Sequence, residues 1–159
     1  MARVVNYIIM FLAGLLSGWL VIYAFAFANT EQPFGLSLGN NAEAPGNWIN
    51  EKQIQITDNQ IIINVANASL SSYAATGSMK PVLDKDSNGI RIIPKAAEQI
   101  NVGDVVTYEK NNELIVHRVI EKGQDETGEW FIVKGDNNQV DDGKIYFNDI
   151  RFVTIGVLW

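Results

Sequence analysis

The sequence predicts an all-β fold, an antiparallel β-barrel or sandwich, preceded by one N-terminal transmembrane helix. Apolar and polar residues alternate with a period of two after position 50, which is typical of strands with one buried face. The candidate strands are short and separated by Gly, Asn and Asp turns, a spacing typical of barrels and sandwiches. A long uncharged apolar run precedes them and predicts the membrane span.

The predicted span is residues 7–28, which contain no charge and no proline. At about 1.5 Å rise per residue, such a helix reaches about 33 Å, enough to cross a hydrocarbon core about 30 Å thick. Arg3 is the only charged residue before the run, and Glu31 is the first after it. The positive-inside rule therefore predicts a cytoplasmic N-terminus, with the rest of the chain on the other side.

A cleavable signal peptide is the alternative interpretation of this segment. Ala26-Phe27-Ala28 has the small-x-small pattern of a cleavage site. The apolar run, however, is longer than the usual signal-peptide core of about 7–15 residues, and a single basic residue precedes it. These features favour an uncleaved anchor over residues 1–28.

Residues 29–50 are rich in Asn, Gly, Glu and Pro, which predicts a juxtamembrane loop. Two aromatic residues in this loop, Phe34 and Trp48, fit either the headgroup level of a bilayer or the edge of a protein core.

Residues 51–159 form the predicted β-rich domain. Residues 53–56 and 61–65 flank a Thr-Asp-Asn-Gln turn, which predicts a hairpin. One short helical turn is expected within residues 95–99, and no segment after position 29 keeps a helical apolar period for three turns. The further strand candidates are residues 90–93, 105–108, 114–120, 130–133 and 150–158.

Composition excludes several classes of function. Residues 29–159 carry all 18 acidic residues and 11 of the 12 basic ones, without a basic patch, which argues against nucleic acid as a partner. The absence of cysteine excludes disulfides, thiolate metal sites and a cysteine nucleophile. With one histidine in the chain, we expect neither a metal nor a cofactor.

The single histidine, His117, follows a Ser-Met-Lys-Pro turn that begins at Ser78, and it precedes an acidic turn that ends in Asp141-Asp142. A hydroxyl, an imidazole and a carboxylate are the three parts of an activated serine nucleophile. Gly77 permits a tight backbone before Ser78, so the Ser78 N–H is a candidate oxyanion donor. Each residue alone fits a structural role; their combination favours catalysis.

Four segments in order resemble type I signal peptidases, in the variety shared by archaea and the endoplasmic reticulum. They cover about residues 76–142, and the N-terminal anchor agrees with them. The segments are Thr-Gly-Ser-Met-Lys-Pro at 76–81, Val-Gly-Asp-Val-Val-Thr-Tyr at 102–108, Ile-Val-His-Arg-Val-Ile at 115–120, and Lys-Gly-Asp-Asn-Asn at 134–138 with Asp-Asp at 141–142.

The resemblance implies a role for each matching residue. Ser78 matches the nucleophile, and His117 stands where eubacterial members have a lysine general base. Asp142 matches the carboxylate of the triad. Asp136 matches the other acid of its segment, with an implied role in holding the loop. Thr76 stands two residues before the nucleophile, where its hydroxyl is implied to help hold the oxyanion.

The implied function is a serine endopeptidase that removes N-terminal signal peptides from exported precursors, cleaving after small residues. Its expected partners are these precursors, membrane lipid and the secretion translocon. The expected location is the cell membrane, single-pass, with the catalytic domain outside the cytoplasm; the endoplasmic reticulum membrane is the alternative. The competing hypothesis is a membrane-tethered β-rich binding module, or an inactive signal-peptidase homologue, without turnover.

Overall fold

The computed structural model describes residues 5–7, 10, 12, 14–19 and 42–159, and those before position 20 are helical. Most of the predicted span and the first part of the predicted loop, residues 29–41, lie outside the described residues. Among the described positions, no helix reaches the length and apolarity that a bilayer crossing requires.

Residues 42–159 form one compact unit of nine strands and three short 3₁₀ helices. The 3₁₀ helices are Glu51–Gln53, Ala97–Gln99 and Phe147–Asp149. The strands are β1 (Ile54–Ile56), β2 (Ile61–Ile63), β3 (Ser69–Ser72), β4 (Asn88–Ile92), β5 (Val105–Lys110), β6 (Glu113–Asp125), β7 (Gly128–Lys134), β8 (Lys144–Tyr146) and β9 (Ile150–Leu158).

The strands pair into two antiparallel sheets. β1 and β2 form a separate hairpin, and the other seven strands follow the order β3-β4-β9-β5-β6-β7-β8. The all-β prediction is confirmed, whereas closure into a barrel or sandwich stays a prediction, as do the domain boundaries at 28 and 50.

Strand β5 lies at the centre of the larger sheet and separates two apolar clusters. Its residues 105–108 are all buried, because both of its faces are covered. Val106 and Tyr108 point into the main cluster, while Val105 packs on the other face with Met79 and Leu83. This alternation follows the period of two of a strand. β5 therefore reaches both the segment after Ser78 and the core.

Every predicted strand has a counterpart, including the hairpin, and the helical turn expected within 95–99 is the Ala97–Gln99 helix. Two strands were missed. β3 is Ser-Leu-Ser-Ser, with one apolar residue, and β8 has only three residues. Both lie at the edges of the larger sheet. Each is a strand because its backbone pairs with one neighbour, and its sequence lacks the apolar alternation that would predict it.

The described part of the predicted loop, residues 42–50, packs on the β-rich body. The amide of Gly46 donates a 2.7 Å hydrogen bond to Oδ1 of Asp104, a fully buried carboxylate. Trp48 packs against the main apolar cluster. Of the two environments that the sequence allows for Trp48, the structure gives the protein core.

Candidate active site

The nucleophile candidate, Ser78, opens a turn that is anchored by its own apolar residues. Gly77 has φ +72°, in the left-handed region that favours glycine, so the backbone turns sharply into Ser78. Met79 and Leu83 follow and are almost completely buried against Val105 of β5. The apolar side chains hold the turn to the sheet, while Ser78 stays partly exposed.

His117 lies in β6, paired with Val106 of β5, and is 5% exposed. Its Nε2 is 3.2 Å from Oγ of Ser78. Its Nδ1 contacts Oδ2 of Asp142. The structure thus brings together the hydroxyl, the imidazole and the carboxylate that the sequence singles out, in the order that base-assisted nucleophilic attack requires.

Asp142 lies between β7 and β8 and is held through its backbone and its side chain. Its amide donates to the carbonyl oxygen of Val133 at 2.9 Å, and its own carbonyl accepts from Nζ of Lys110 at 2.7 Å. The hydroxyl of Tyr108 donates to Oδ2 at 2.7 Å. The carboxylate therefore contacts two side chains from neighbouring strands.

Tyr108 is a site residue that the sequence reasoning missed. Burial and the hydrogen bond to the Asp142 carboxylate raise the pKa of its hydroxyl above the usual range, so the hydroxyl stays protonated. A signal was available, because Tyr108 ends the Val-Gly-Asp-Val-Val-Thr-Tyr segment and a buried tyrosine hydroxyl needs a polar partner.

Asp136 faces Arg118 rather than His117. Its two oxygens accept hydrogen bonds of 2.7 Å from Nε and Nη2 of Arg118, and both side chains are less than a tenth exposed. Nη1 of Arg118 also donates to the carbonyl of Gly103 at 2.7 Å. The pair ties β6, beside His117, to the loop after β7.

That loop contacts the nucleophile turn directly. The amide of Asn137 donates to the carbonyl of Ser78 at 2.8 Å, and its Nδ2 donates to the carbonyl of Gly77 at 3.2 Å. Gly135 lies so close that a Cβ there would be 2.7 Å from the Ser78 carbonyl oxygen. A side chain at position 135 would therefore force the turn at Ser78 or the loop after β7 to shift.

Thr76 lies beside the Ser78 hydroxyl. Its Oγ1 is 3.2 Å from Oγ of Ser78, and it accepts a 3.4 Å hydrogen bond from the Ser78 amide. The two groups predicted to face an oxyanion, the Ser78 N–H and the Thr76 hydroxyl, are thus adjacent.

Ser78 and His117 lie in the wall of an open groove of about 350 Å³. Its lining includes Tyr73, Ala74 and Thr76 and the first residues of β6. The remaining lining residues are Met79, Leu83 and Asn138. The groove is open beside the serine hydroxyl. No cluster of three or more His, Asp or Glu side chains within the described residues is placed to hold a metal ion.

The chain is similar to catalytic subunits of signal peptidase complexes. It is 36% identical to the signal peptidase complex catalytic subunit SEC11 of Candida dubliniensis over 73 residues, which cover 45% of this chain and 43% of that protein. SEC11 of Scheffersomyces stipitis is 36% identical over 80 residues, 49% of this chain and 47% of that protein. SEC11 of Clavispora lusitaniae is 36% identical over 73 residues, with coverage of 45% and 43%.

The matched region spans less than half the length of these curated relatives. The resemblance to type I signal peptidases of the endoplasmic-reticulum type, which the four segments indicate, is confirmed by these relatives. No protein-family model matches the chain. No solved structure matches it.

Proposed function

We propose that this chain is a membrane-bound serine endopeptidase that removes N-terminal signal peptides from exported precursor proteins and cleaves after small residues. One observation carries the proposal: His117 Nε2 lies 3.2 Å from Ser78 Oγ, with Asp142 on the other ring nitrogen, at an open groove. Similarity to SEC11 supports the substrate class.

The proposed reaction has two halves. Ser78 Oγ attacks the scissile carbonyl carbon while His117 Nε2 takes the hydroxyl proton, and His117 then gives that proton to the leaving amine. Water, deprotonated by the same imidazole, hydrolyses the acyl-enzyme and restores Ser78. Asp142 keeps Nδ1 protonated, so that Nε2 is free to accept a proton. Histidine suits this role because a neutral imidazole can accept a proton at one ring nitrogen while the other donates.

The negative charge that develops on the substrate oxygen needs hydrogen-bond donors. The Ser78 N–H and the Thr76 hydroxyl are adjacent to the reacting oxygen and supply two of them. In the structure the Ser78 N–H donates to Thr76 Oγ1, so it must exchange that bond for one to the substrate oxygen, and a donor in such a site is typically worth about 3–4 kcal/mol.

An extended segment of the precursor is proposed to lie in the groove beside β6. The first residues of β6, Glu113 and Leu114, are exposed there, and strand addition is a common way to bind extended peptides. Met79 and Leu83 contribute apolar wall near Ser78, which suits small uncharged side chains before the cut.

The proposed location is a membrane surface. The uncharged run of residues 7–28 supports an anchor, and Arg3 supports a cytoplasmic N-terminus with the β-rich unit outside. The cell membrane is proposed, with the endoplasmic reticulum membrane as the alternative. Anchoring enzyme and precursor at one lipid surface, near the translocon, raises their effective concentration.

The decisive experiment incubates the full chain in detergent with a signal-bearing precursor and follows the shortened product. Ser78→Ala and His117→Ala should each lower the cleavage rate by at least about 10²-fold. Ser72→Ala is the matched control, because it removes an exposed hydroxyl from β3, outside the groove lining. Its rate should equal that of the wild type.

Mass spectrometry of the product should place the cut after a small residue. Full activity in His117→Ala would overturn the Ser-His assignment. A folded wild-type protein that binds precursors but never cleaves them would favour the binding module instead.

A further inference from the structure

We propose that Tyr108 is a positioning residue of the site, whose hydroxyl holds Oδ2 of Asp142 against Nδ1 of His117. This inference rests on the proposed function, in which Asp142 orients the base. Neither the composition nor the motif order assigns Tyr108 a role. Its role is inferred from its hydrogen bond to Asp142.

The geometry places two donors on one carboxylate oxygen. Tyr108 Oη lies 2.7 Å from Oδ2 of Asp142, and His117 Nδ1 contacts the same atom. The phenol and imidazole rings have centroids 6.4 Å apart and planes tilted by 50°. A rotation of the Asp142 carboxylate that moves Oδ2 away from His117 would therefore also break the hydrogen bond from Tyr108.

Tyr108 is a rigid support because the core fixes it. Its side chain is completely buried and packs in the main cluster, which also contains Phe131 and Val133. Asp142, in contrast, lies outside regular secondary structure and its side chain is 23% exposed. The buried ring of Tyr108, which has only two torsion angles, thus supports a carboxylate on a partly exposed segment outside the strands.

The groups facing Asp142 come from two strands. Tyr108 and Lys110 belong to β5, where residues two apart share a face, and His117 belongs to β6. Lys110 holds the main-chain carbonyl of Asp142, whereas Tyr108 holds the carboxylate. On the same segment, Asp141 accepts from the Gly143 amide through Oδ1. Tyr108 is therefore the second side-chain donor to this carboxylate oxygen, beside His117.

The test is Tyr108→Phe, which removes one oxygen and keeps the ring. Tyr146→Phe is the matched control, because the Tyr146 hydroxyl also donates to an aspartate, Asp125, but at the surface and away from the site. Both are made in the full chain, purified in detergent without a histidine tag. His117 is then the single imidazole in the sample, so its resonances need no assignment.

Two readouts separate positioning from general stability. The proton resonance of His117 Nδ1–H should move in Tyr108→Phe and stay in place in Tyr146→Phe. With a precursor substrate, Tyr108→Phe should lower kcat about tenfold, which corresponds to about 1.4 kcal/mol. KM should not change, since Tyr108 does not line the groove.

The outcomes distinguish this inference from the proposed function. An unmoved resonance with unchanged kcat, while Ser78→Ala abolishes cleavage, overturns the role of Tyr108 and leaves the protease proposal standing. If the His117 resonance moves in Tyr108→Phe but the wild-type protein cleaves no precursor, the positioning contact is supported and the protease proposal is wrong. If Tyr108→Phe does not fold, 3-fluorotyrosine labelling of the wild type keeps the ring and hydroxyl while strengthening the donor. An unmoved His117 resonance in that sample overturns the inference.

Discussion

The amide of Asn137 donates a 2.8 Å hydrogen bond to the carbonyl oxygen of Ser78, which joins the loop after β7 to the turn that presents the proposed nucleophile. The Asn137 side chain adds a second bond to the Gly77 carbonyl. The position of the hydroxyl therefore depends on a loop about 60 residues further along the chain.

Gly135→Ala is predicted to lower activity. The new Cβ would lie 2.7 Å from the Ser78 carbonyl oxygen and 2.8 Å from the Asn138 side chain, so the turn at Ser78 or the loop that holds it must shift. A displacement of about 1 Å at a reacting group can cost about 10²-fold in rate. We expect a loss of that order in kcat, measured with a precursor substrate.

Gly156→Ala in β9 is the control for this substitution, because its Cβ would make only ordinary contacts of 3.5 Å or more, with Ile90. It should retain wild-type kcat. Equal activity in Gly135→Ala and the wild type would show that the turn tolerates movement of the loop.

Asp142→Asn is predicted to impair cleavage, whereas Asp136→Asn is predicted to impair stability. Asp142→Asn keeps the shape of the residue but removes the charge beside His117, so cleavage should fall by about 10³–10⁴-fold while the free energy of unfolding changes little. Asp136→Asn leaves the Arg118 guanidinium buried without its carboxylate, so it should lower the free energy of unfolding by about 3–5 kcal/mol.

Urea unfolding of both variants, together with their cleavage rates at a temperature where both are folded, checks this difference. Comparable small losses of activity in the two would mean that neither carboxylate orients His117.

Residue order alone could not assign these two acids. Both lie in one turn after β7, and the alternation of strand residues says nothing about side chains in a turn. The directions of the two side chains depend on contacts made in the fold. The Asp142 amide donates to the Val133 carbonyl, and the Asp136 carboxylate accepts from Arg118. The juxtaposition of the hydroxyl and the imidazole was indicated more directly, by the single histidine and by the order of the four segments.

The central strands were predictable for a similar physical reason. β5 and β9 are rich in β-branched residues and buried at several positions, so burial and local preference agree there. Tyr108 shows what the apolar pattern of the sequence does not predict. The pattern predicts that it lies in a strand and in the core, but only the fold brings its hydroxyl to a carboxylate 34 residues away.

Thr76→Val is predicted to lower kcat by about 10²-fold, because it removes a hydroxyl 3.2 Å from Ser78 Oγ while keeping the shape of the side chain. Thr76→Ser retains the hydroxyl and should keep most of the activity. Steady-state kinetics on one precursor compares the two. Equal rates in the valine and serine variants would remove Thr76 from the oxyanion site.

The raised pKa of Tyr108 also gives stability a defined dependence on alkaline pH. An unfolded tyrosine ionises near pH 10, whereas the folded Tyr108 keeps its proton to higher pH. The stabilisation from its hydroxyl is therefore complete below about pH 10. It declines above that value by up to about 1.4 kcal/mol per pH unit, because only the unfolded chain gains by ionising.

Tyr108→Phe should therefore change the pH dependence as well as the size of the free energy of unfolding. Urea unfolding of the full chain in detergent, from pH 7 to 11, should show the wild type more stable at neutral pH. Between pH 10 and 11 this advantage should shrink by about 1 kcal/mol, since phenylalanine has no proton to lose. Tyr146→Phe controls for loss of a tyrosine–aspartate hydrogen bond at the surface. A difference between wild type and Tyr108→Phe that stays constant up to pH 11 would contradict a tyrosine held protonated by burial and Asp142.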